Sequence, residues 1–408
     1  MRPWRIFGVV GLVLLAGVLS AQDSPQKGTV KKIDPEKGTL TIAADGKDVV
    51  VKVTAETKVM NAKGKQITEP FKDNDFKAGT SVLFKTDGDT LVGIRALGAG
   101  GKGPPFVKVD SSKLVPLSEL GDKEYKDGYK GGFYPDGKNE RPEDHEAAGL
   151  RFAKQIQPRS AAGKVNLKGK IVLLSVGMSN TSQASNGFQK VLVGAAGINP
   201  QVVFVNGAQG GMTAARIQDP DSADGTKYWG EVDLRLQNAG VTGNQVQVIW
   251  IKEADAGPNQ GFPGYAKKLE VELTRIVQIF PKRFPNAKLV YLSSRTYGGF
   301  ATTALNPEPY AYESAFSVKW LIERQIKGES GLNFDAGKGE VRAPWLSWGP
   351  YLWANGSKKR ADGFSYKPGD FTANDGTHLT ASGMDKVGRL MLQFFQNDST
   401  ARAWFLAK

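Results

Sequence analysis

The chain has 408 residues, 40% hydrophobic and 23% charged, a balance that excludes a disordered chain and calls for two globular domains or one large domain with an appendage. Its formal charge of +13 alone would suit nucleic acid, but the lysines are interleaved with acids and form no like-charged block, so the basic surface is read as suited to anionic polymers and not to nucleic acid. There is no cysteine, which excludes disulfides and a lipid anchor on a cysteine at a cleavage site.

In residues 1–21, Arg2 and Arg5 precede an apolar run that ends in small residues at Ser20 and Ala21. That is the layout of a signal peptide, and the run is short for a membrane-spanning helix of about twenty residues. The expectation is a secreted or periplasmic protein with no stable membrane insertion after cleavage. From 27 to 97 the text alternates apolar and polar residues over short runs, as in "GTVKKIDPEKGTLTIAADGKDVVVKV". Turn chemistry punctuates it, so it predicts five or six strands closed into a small all-β barrel of the OB type. No catalytic constellation is visible there, which leaves a spacer or docking module. Residues 98–107, with "GAGGKGPP", read as a linker. Residues 108–164 read as a loop-rich lead-in with a helix near 142–156.

From 165 to 408 the periodicity changes. "KIVLLSV" (170–176), "QVVFV" (201–205), "VQVIWI" (246–251) and "AKLVYLSS" (287–294) are nearly continuous apolar runs, the mark of strands buried on both faces. Leu269, Leu273, Ile276, Val277 and Phe280 fall on one helical face that Pro281 is expected to stop. Met384, Val387, Met391, Phe394 and Phe395 share a similar spacing. Alternating strands and helices predict a flavodoxin-like parallel sheet with helices on both faces, whose ligands sit at the C-terminal ends of the strands.

Ser179 follows the first of these strands, beside Gly177. A serine hydroxyl attacks only when a base removes its proton and a third group orients that base. The chain holds two histidines. His145, in "RPEDHEAAG", is read as structural, on an exposed helix start. His378, in "ANDGTHLT", follows Asp375 by three residues, a spacing that in a tight turn brings a carboxylate to the imidazole Nδ1. Alone, "SNTS" reads as a helix cap and "DGTH" as a turn. Together, at the first and last elements of one parallel domain, they read as nucleophile, base and acid. Two histidines and no cysteines leave only carboxylate metal sites, and no phosphate loop appears, so neither metal nor cofactor is expected.

"GMSN", "VNGAQGGMTA" and "DGTHLTASG" resemble the blocks of the SGNH (GDSL-type) hydrolase superfamily, most closely its carbohydrate acetylesterase branch, over about residues 165–398. The resemblance implies Ser179 as nucleophile, His378 as base and Asp375 as orienting acid. It implies oxyanion donors at Ser179 and Gly211. The third block departs from the pattern: where the family carries an asparagine or glutamine donor, this chain reads "IKEADA". Lys252, Asn180 or Asn206 are the candidates to fill that place. Tyr297, Trp345, Trp348 and Trp353 lie in pocket-building loops and are candidates to stack on sugar rings or to pack in the core. The expected function is a secreted serine esterase removing acyl groups, acetyl first, from a carbohydrate or related ester. The alternative is an SGNH-like binding protein that holds an extracellular or cell-wall polymer without turnover.

Overall fold

The computed structural model describes residues 26–44, 47–61, 66–68, 71, 76–96 and 108–407; the expected signal peptide and linker lie outside these. The chain divides between Pro105 and Phe106 into two compact units. In the first, β1 (Gln26–Asp34), β2 (Thr39–Ala44), β3 (Lys47–Lys52), β4 (Lys58–Met60), β5 (Ser81–Asp87) and β6 (Thr90–Ala96) form one sheet in the order β3-β2-β1-β5-β6-β4. A further pairing of Lys52 on β3 with Thr90 on β6 closes five strands into a barrel, with β4 alongside β6. The period-2 pattern explains the interior: Val30, Leu40, Ile42, Val51, Val82, Phe84 and Ile94 point in and are buried, while their neighbours face solvent.

The second unit carries α1 (Leu117–Leu120), α2 (Glu143–Ala153), β7 (Ile171–Gly177), α3 (Ser179–Val193), β8 (Val202–Asn206), α4 (Ala214–Ile217), α5 (Ala223–Asn238), β9 (Val246–Lys252), α6 (Gly264–Arg283), β10 (Leu289–Leu292), α7 (Tyr310–Ile326), β11 (Trp345–Trp348), α8 (Ala381–Asn397) and α9 (Arg402–Phe405). The sheet is parallel throughout, in the order β11-β10-β9-β7-β8. Counted within the unit this is 2-1-3-4-5, a doubly wound order whose direction of winding switches beside the first strand. Every residue of β7, β9, β10 and β11 is buried. Successive side chains point to opposite faces, so both faces are covered.

Several details differ from the sequence reading. Helix α6 runs through Pro281 to Arg283, because the proline forfeits only its own N–H bond and the N–H groups after it still close the turn, as Phe284 does on the Phe280 carbonyl. His145 is buried, not exposed. Its ring stacks on Trp345 at 4.9 Å between centroids, and Nε2 lies 2.8 Å from the Leu346 carbonyl. Burial pushes it down to about 4, so it stays neutral and structural at physiological pH. Residues 108–164 are integral to the second unit. Tyr134 Oη meets Ser347 Oγ at 2.9 Å and accepts from the Trp348 N–H at 3.3 Å, and Arg141 donates to Ser347 at 2.7 Å. The expected lead-in thus covers the edge strand β11, whose backbone would otherwise be open to pairing.

Candidate active site

The turn from β7 into α3 places Ser179 as the first helical residue. A Cβ on Gly177 would lie 2.4 Å from the Lys252 carbonyl oxygen and 2.5 Å from Thr181 Oγ1, so a side chain at this position would close the turn. Thr181 and Ser182 donate their N–H groups to the Met178 carbonyl. The N–H groups of Ser179 and Asn180 have no acceptor among the described residues, which leaves two donors at the positive end of a helix dipole.

The other half of the site is the turn before α8. Thr372 N–H donates to the His378 carbonyl at 2.7 Å and Gly376 N–H to the Thr372 carbonyl at 2.8 Å. Gly376 sits at φ +59°, and a Cβ there would lie 1.9 Å from the Phe300 carbonyl oxygen. The glycine of the motif is therefore demanded by backbone geometry and close packing together. The turn presents His378 with Nε2 2.8 Å from Ser179 Oγ and Nδ1 2.6 Å from Asp375 Oδ2. Asp375 Oδ1 accepts from Thr372 Oγ1 at 2.8 Å, Thr377 N–H at 2.8 Å and His378 N–H at 2.9 Å. Burial raises the Asp375 pKa, but the His378, Thr377 and Thr372 bonds outweigh it and hold the carboxyl well below the usual carboxylate range. The carboxylate is thus fixed in its charged form, opposite the ring nitrogen that must remain protonated if Nε2 is to accept a proton.

Gly211 lies in the loop after β8, at φ +74° and exposed. Gln209 N–H in that loop donates to the Gly177 carbonyl at 2.9 Å, tying the loop to the nucleophile turn. Arg216 donates to the Gly211 carbonyl at 3.0 Å, while the Gly211 N–H has no acceptor among the described residues. The three candidates for the third block's donor are engaged elsewhere. Lys252 is fully buried and donates its Nζ to Asn180 Oδ1 at 2.9 Å. Asn180 donates Nδ2 to the Thr377 carbonyl at 3.1 Å. Asn206 donates Nδ2 to Asn186 Oδ1 at 2.9 Å and to Ser182. Ala254 is buried without a polar side chain, and Glu253 beside it is buried and shifted well upward by desolvation.

Two participants escaped the sequence reading. Arg295, three residues past the end of β10, is buried and also donates to Asn180 Oδ1. Its signal was a charge at the end of an apolar run. Gln183, one turn along α3 from Ser179, bonds to the backbone of Leu379 and carried no signal. The aromatics expected in pocket-building loops are core, and two of them are strand residues: Trp345 and Trp348 bound β11, Trp345 and Trp353 are fully buried, and Trp348 and Tyr297 nearly so. A groove of about 810 Å³ is lined by Phe133, Arg141, Tyr351 and Phe394 and by none of the Ser179, Asp375 and His378 set. A groove of about 540 Å³ contains Gly211, lined by Thr213, Arg216, Asp255 and Lys268 together with Pro258 and Tyr265.

No family model matches the chain, and no curated protein matches it significantly in sequence. Solved structures with a similar fold include a protein assigned to the SGNH hydrolases from Slackia heliotrinireducens, 13% identical, covering 55% of this chain and 99% of that one at a TM-score of 0.28. Others are the periplasmic domain of a lipopolysaccharide acetyltransferase from Salmonella ser. Paratyphi A (11% identical, 61% and 95% covered, TM-score 0.31) and an extracellular lipase from Streptomyces rimosus (12%, 55% and 99%, 0.27). At these identities and scores the likenesses add nothing to the geometry, which stands on the chain's own residues.

Proposed function

We propose that this protein is a serine ester hydrolase of the SGNH type that removes short acyl groups, acetyl first, from a carbohydrate or related ester outside the cytoplasm. The single observation that carries the reading is the continuous chain from Ser179 Oγ through both nitrogens of His378 to Asp375, at 2.8 and 2.6 Å. Ser179 Oγ attacks the ester carbonyl carbon as His378 Nε2 takes its proton. The negative charge that forms on the carbonyl oxygen is met by the free N–H groups of Ser179 and Gly211, donors held in place before the reaction begins. The imidazolium, paired with Asp375, returns the proton to the leaving alcohol. Water then attacks the acyl-serine by the same route and releases the acid. The motif resemblance supports the superfamily, the groove beside Gly211 places Thr213, Arg216 and Lys268 where a leaving group's hydroxyls could meet them, and the leader-like N-terminus supports an extracytoplasmic site.

The test is hydrolysis of p-nitrophenyl acetate by the purified protein beside Ser179→Ala and His378→Ala. Each substitution is expected to lower kcat by at least about 10³-fold. A wild type no faster than either variant sinks the esterase reading. It would favour the polymer-binding alternative, to which the engagement of Lys252, Asn180 and Asn206 away from the oxyanion points.

A further inference from the structure

Helix α3, which carries Ser179, also holds the chain on both sides of His378. Asn180 Nδ2 donates to the carbonyl of Thr377 at 3.1 Å. Gln183 accepts from the Leu379 N–H at 2.9 Å and donates to the Leu379 carbonyl at 3.3 Å. Asn180 and Gln183 are three residues apart and so lie on one face of the helix, matching the spacing of the two peptides that flank the histidine. The carboxamide of Asn180 has only one workable orientation. Its Oδ1 accepts from Lys252 Nζ and from Arg295, both buried donors. Rotated by half a turn, it would set an NH₂ group against the Arg295 guanidinium, which can only donate, and an oxygen against the Thr377 carbonyl. Arg295 is held in turn by Asn306 Oδ1 at 3.0 Å, and Asn306 Nδ2 donates to the Asp255 carbonyl at 3.0 Å. The altered third block therefore reaches the site through Asn180 and not by donating to the oxyanion.

We propose that Asn180 and Gln183 are positioning residues that clamp the backbone on either side of His378 in register with Ser179, and that Lys252 and Arg295 serve this clamp by fixing the Asn180 carboxamide. The proposal rests on the esterase reading above. Proton transfer between Ser179 and His378 requires their separation to hold within a fraction of an ångström, and a displacement of about 1 Å at such a site costs on the order of 100-fold in rate. A clamp anchored on the nucleophile's own helix makes that separation independent of motion elsewhere in the loops.

The experiment compares p-nitrophenyl acetate kinetics and thermal unfolding for the full chain and three variants. Gln183→Leu removes both bonds to Leu379; Gln183→Glu keeps the acceptor for its N–H. Asn180→Asp keeps an oxygen toward Lys252 and Arg295 but loses the donor to Thr377. Gln183→Leu is expected to lower kcat on the order of 100-fold with KM within about twofold, since the loss falls on the transition state and not on substrate binding. Gln183→Glu is expected to recover a large part of that loss. Asn180→Asp is expected to lower kcat with no fall in Tm, because the new carboxylate meets the buried Arg295 guanidinium. A kcat within about threefold of wild type in both Gln183→Leu and Asn180→Asp overturns the clamp while leaving the esterase reading intact. So does a rise in KM that accounts for the whole loss. A wild type without esterase activity overturns both.

Discussion

Asp375 does several things at once, and its behaviour at low pH follows from them. One oxygen accepts three hydrogen bonds from its own turn and the other faces His378, so the same carboxylate shapes the loop and orients the base. Its pKa lies below the value of about 3.9 it takes in an unfolded chain. The unfolded state therefore binds its proton first, and the stability Asp375 contributes is complete above about pH 4 and lost as pH falls below it. Asp375→Asn is expected to lower kcat on the order of 10³- to 10⁴-fold, through the wrong tautomer of His378. The Tm gap between wild type and this variant is expected to narrow between pH 7 and pH 3; a gap that stays constant or widens contradicts the assignment. At this scale the sequence was informative where chemistry is local. Asp375 and His378 sit three residues apart in a turn, and Ser179 stands directly after a strand. It was silent on Gln183, whose partner Leu379 is 196 residues away, and it misplaced Lys252. Burial of a lysine at a strand end depends on the neighbours that surround it, here Arg295 and Asn180.

The two helices that bring the halves of the site together cross at glycines. A Cβ on Gly187 of α3 would lie 2.0 Å from the Met384 carbonyl oxygen of α8, and one on Gly388 of α8 would lie 2.4 Å from the Gly187 carbonyl carbon. Ser179 opens α3, and His378 lies three residues before α8 begins, so the depth of this crossing sets how closely nucleophile and base approach. Two effects compete in Gly187→Ala. Helix propensity favours alanine by about 1 kcal/mol, whereas overpacking costs about 1–3 kcal/mol, and backbone atoms at 2.0 Å cannot yield as a flexible side chain would. The clash wins. Gly187→Ala is expected to unfold at lower temperature than wild type and to lose kcat together with stability; a more stable variant with unchanged kcat would show that the crossing does not govern the site. The four long apolar runs were legible as strands because burial on both faces leaves no polar position to confuse the pattern. Strand β11 was not, since "WLSW" is only four residues long and is recognisable as a strand only through its pairing with β10.

At the scale of the whole chain, the change from alternating to continuous apolar runs marks a real division. One core gathers Val30, Leu40, Ile42, Val82 and Phe84 in the barrel, the other gathers the sheet and helices of the second unit, and no residue belongs to both. Each unit thus has an interior of its own, the requirement for a domain that folds alone. What composition could not reveal was where the second unit starts, because the bonds that bind residues 108–164 to it, such as Tyr134 to Ser347, span more than 200 residues of chain. Ser179, Gly211, Asp375 and His378, the clamp of Asn180 and Gln183, and Lys252 and Arg295 behind it all fall after Phe106. A fragment of residues 106–408 is therefore expected to fold and to hydrolyse p-nitrophenyl acetate with the kcat and KM of the full chain, because a small soluble ester asks nothing of the barrel. Circular dichroism and steady-state kinetics on the fragment check this. A fragment that folds but has lost kcat would mean that the barrel contributes to the chemistry, and a fragment that does not fold would mean that the two cores are not independent.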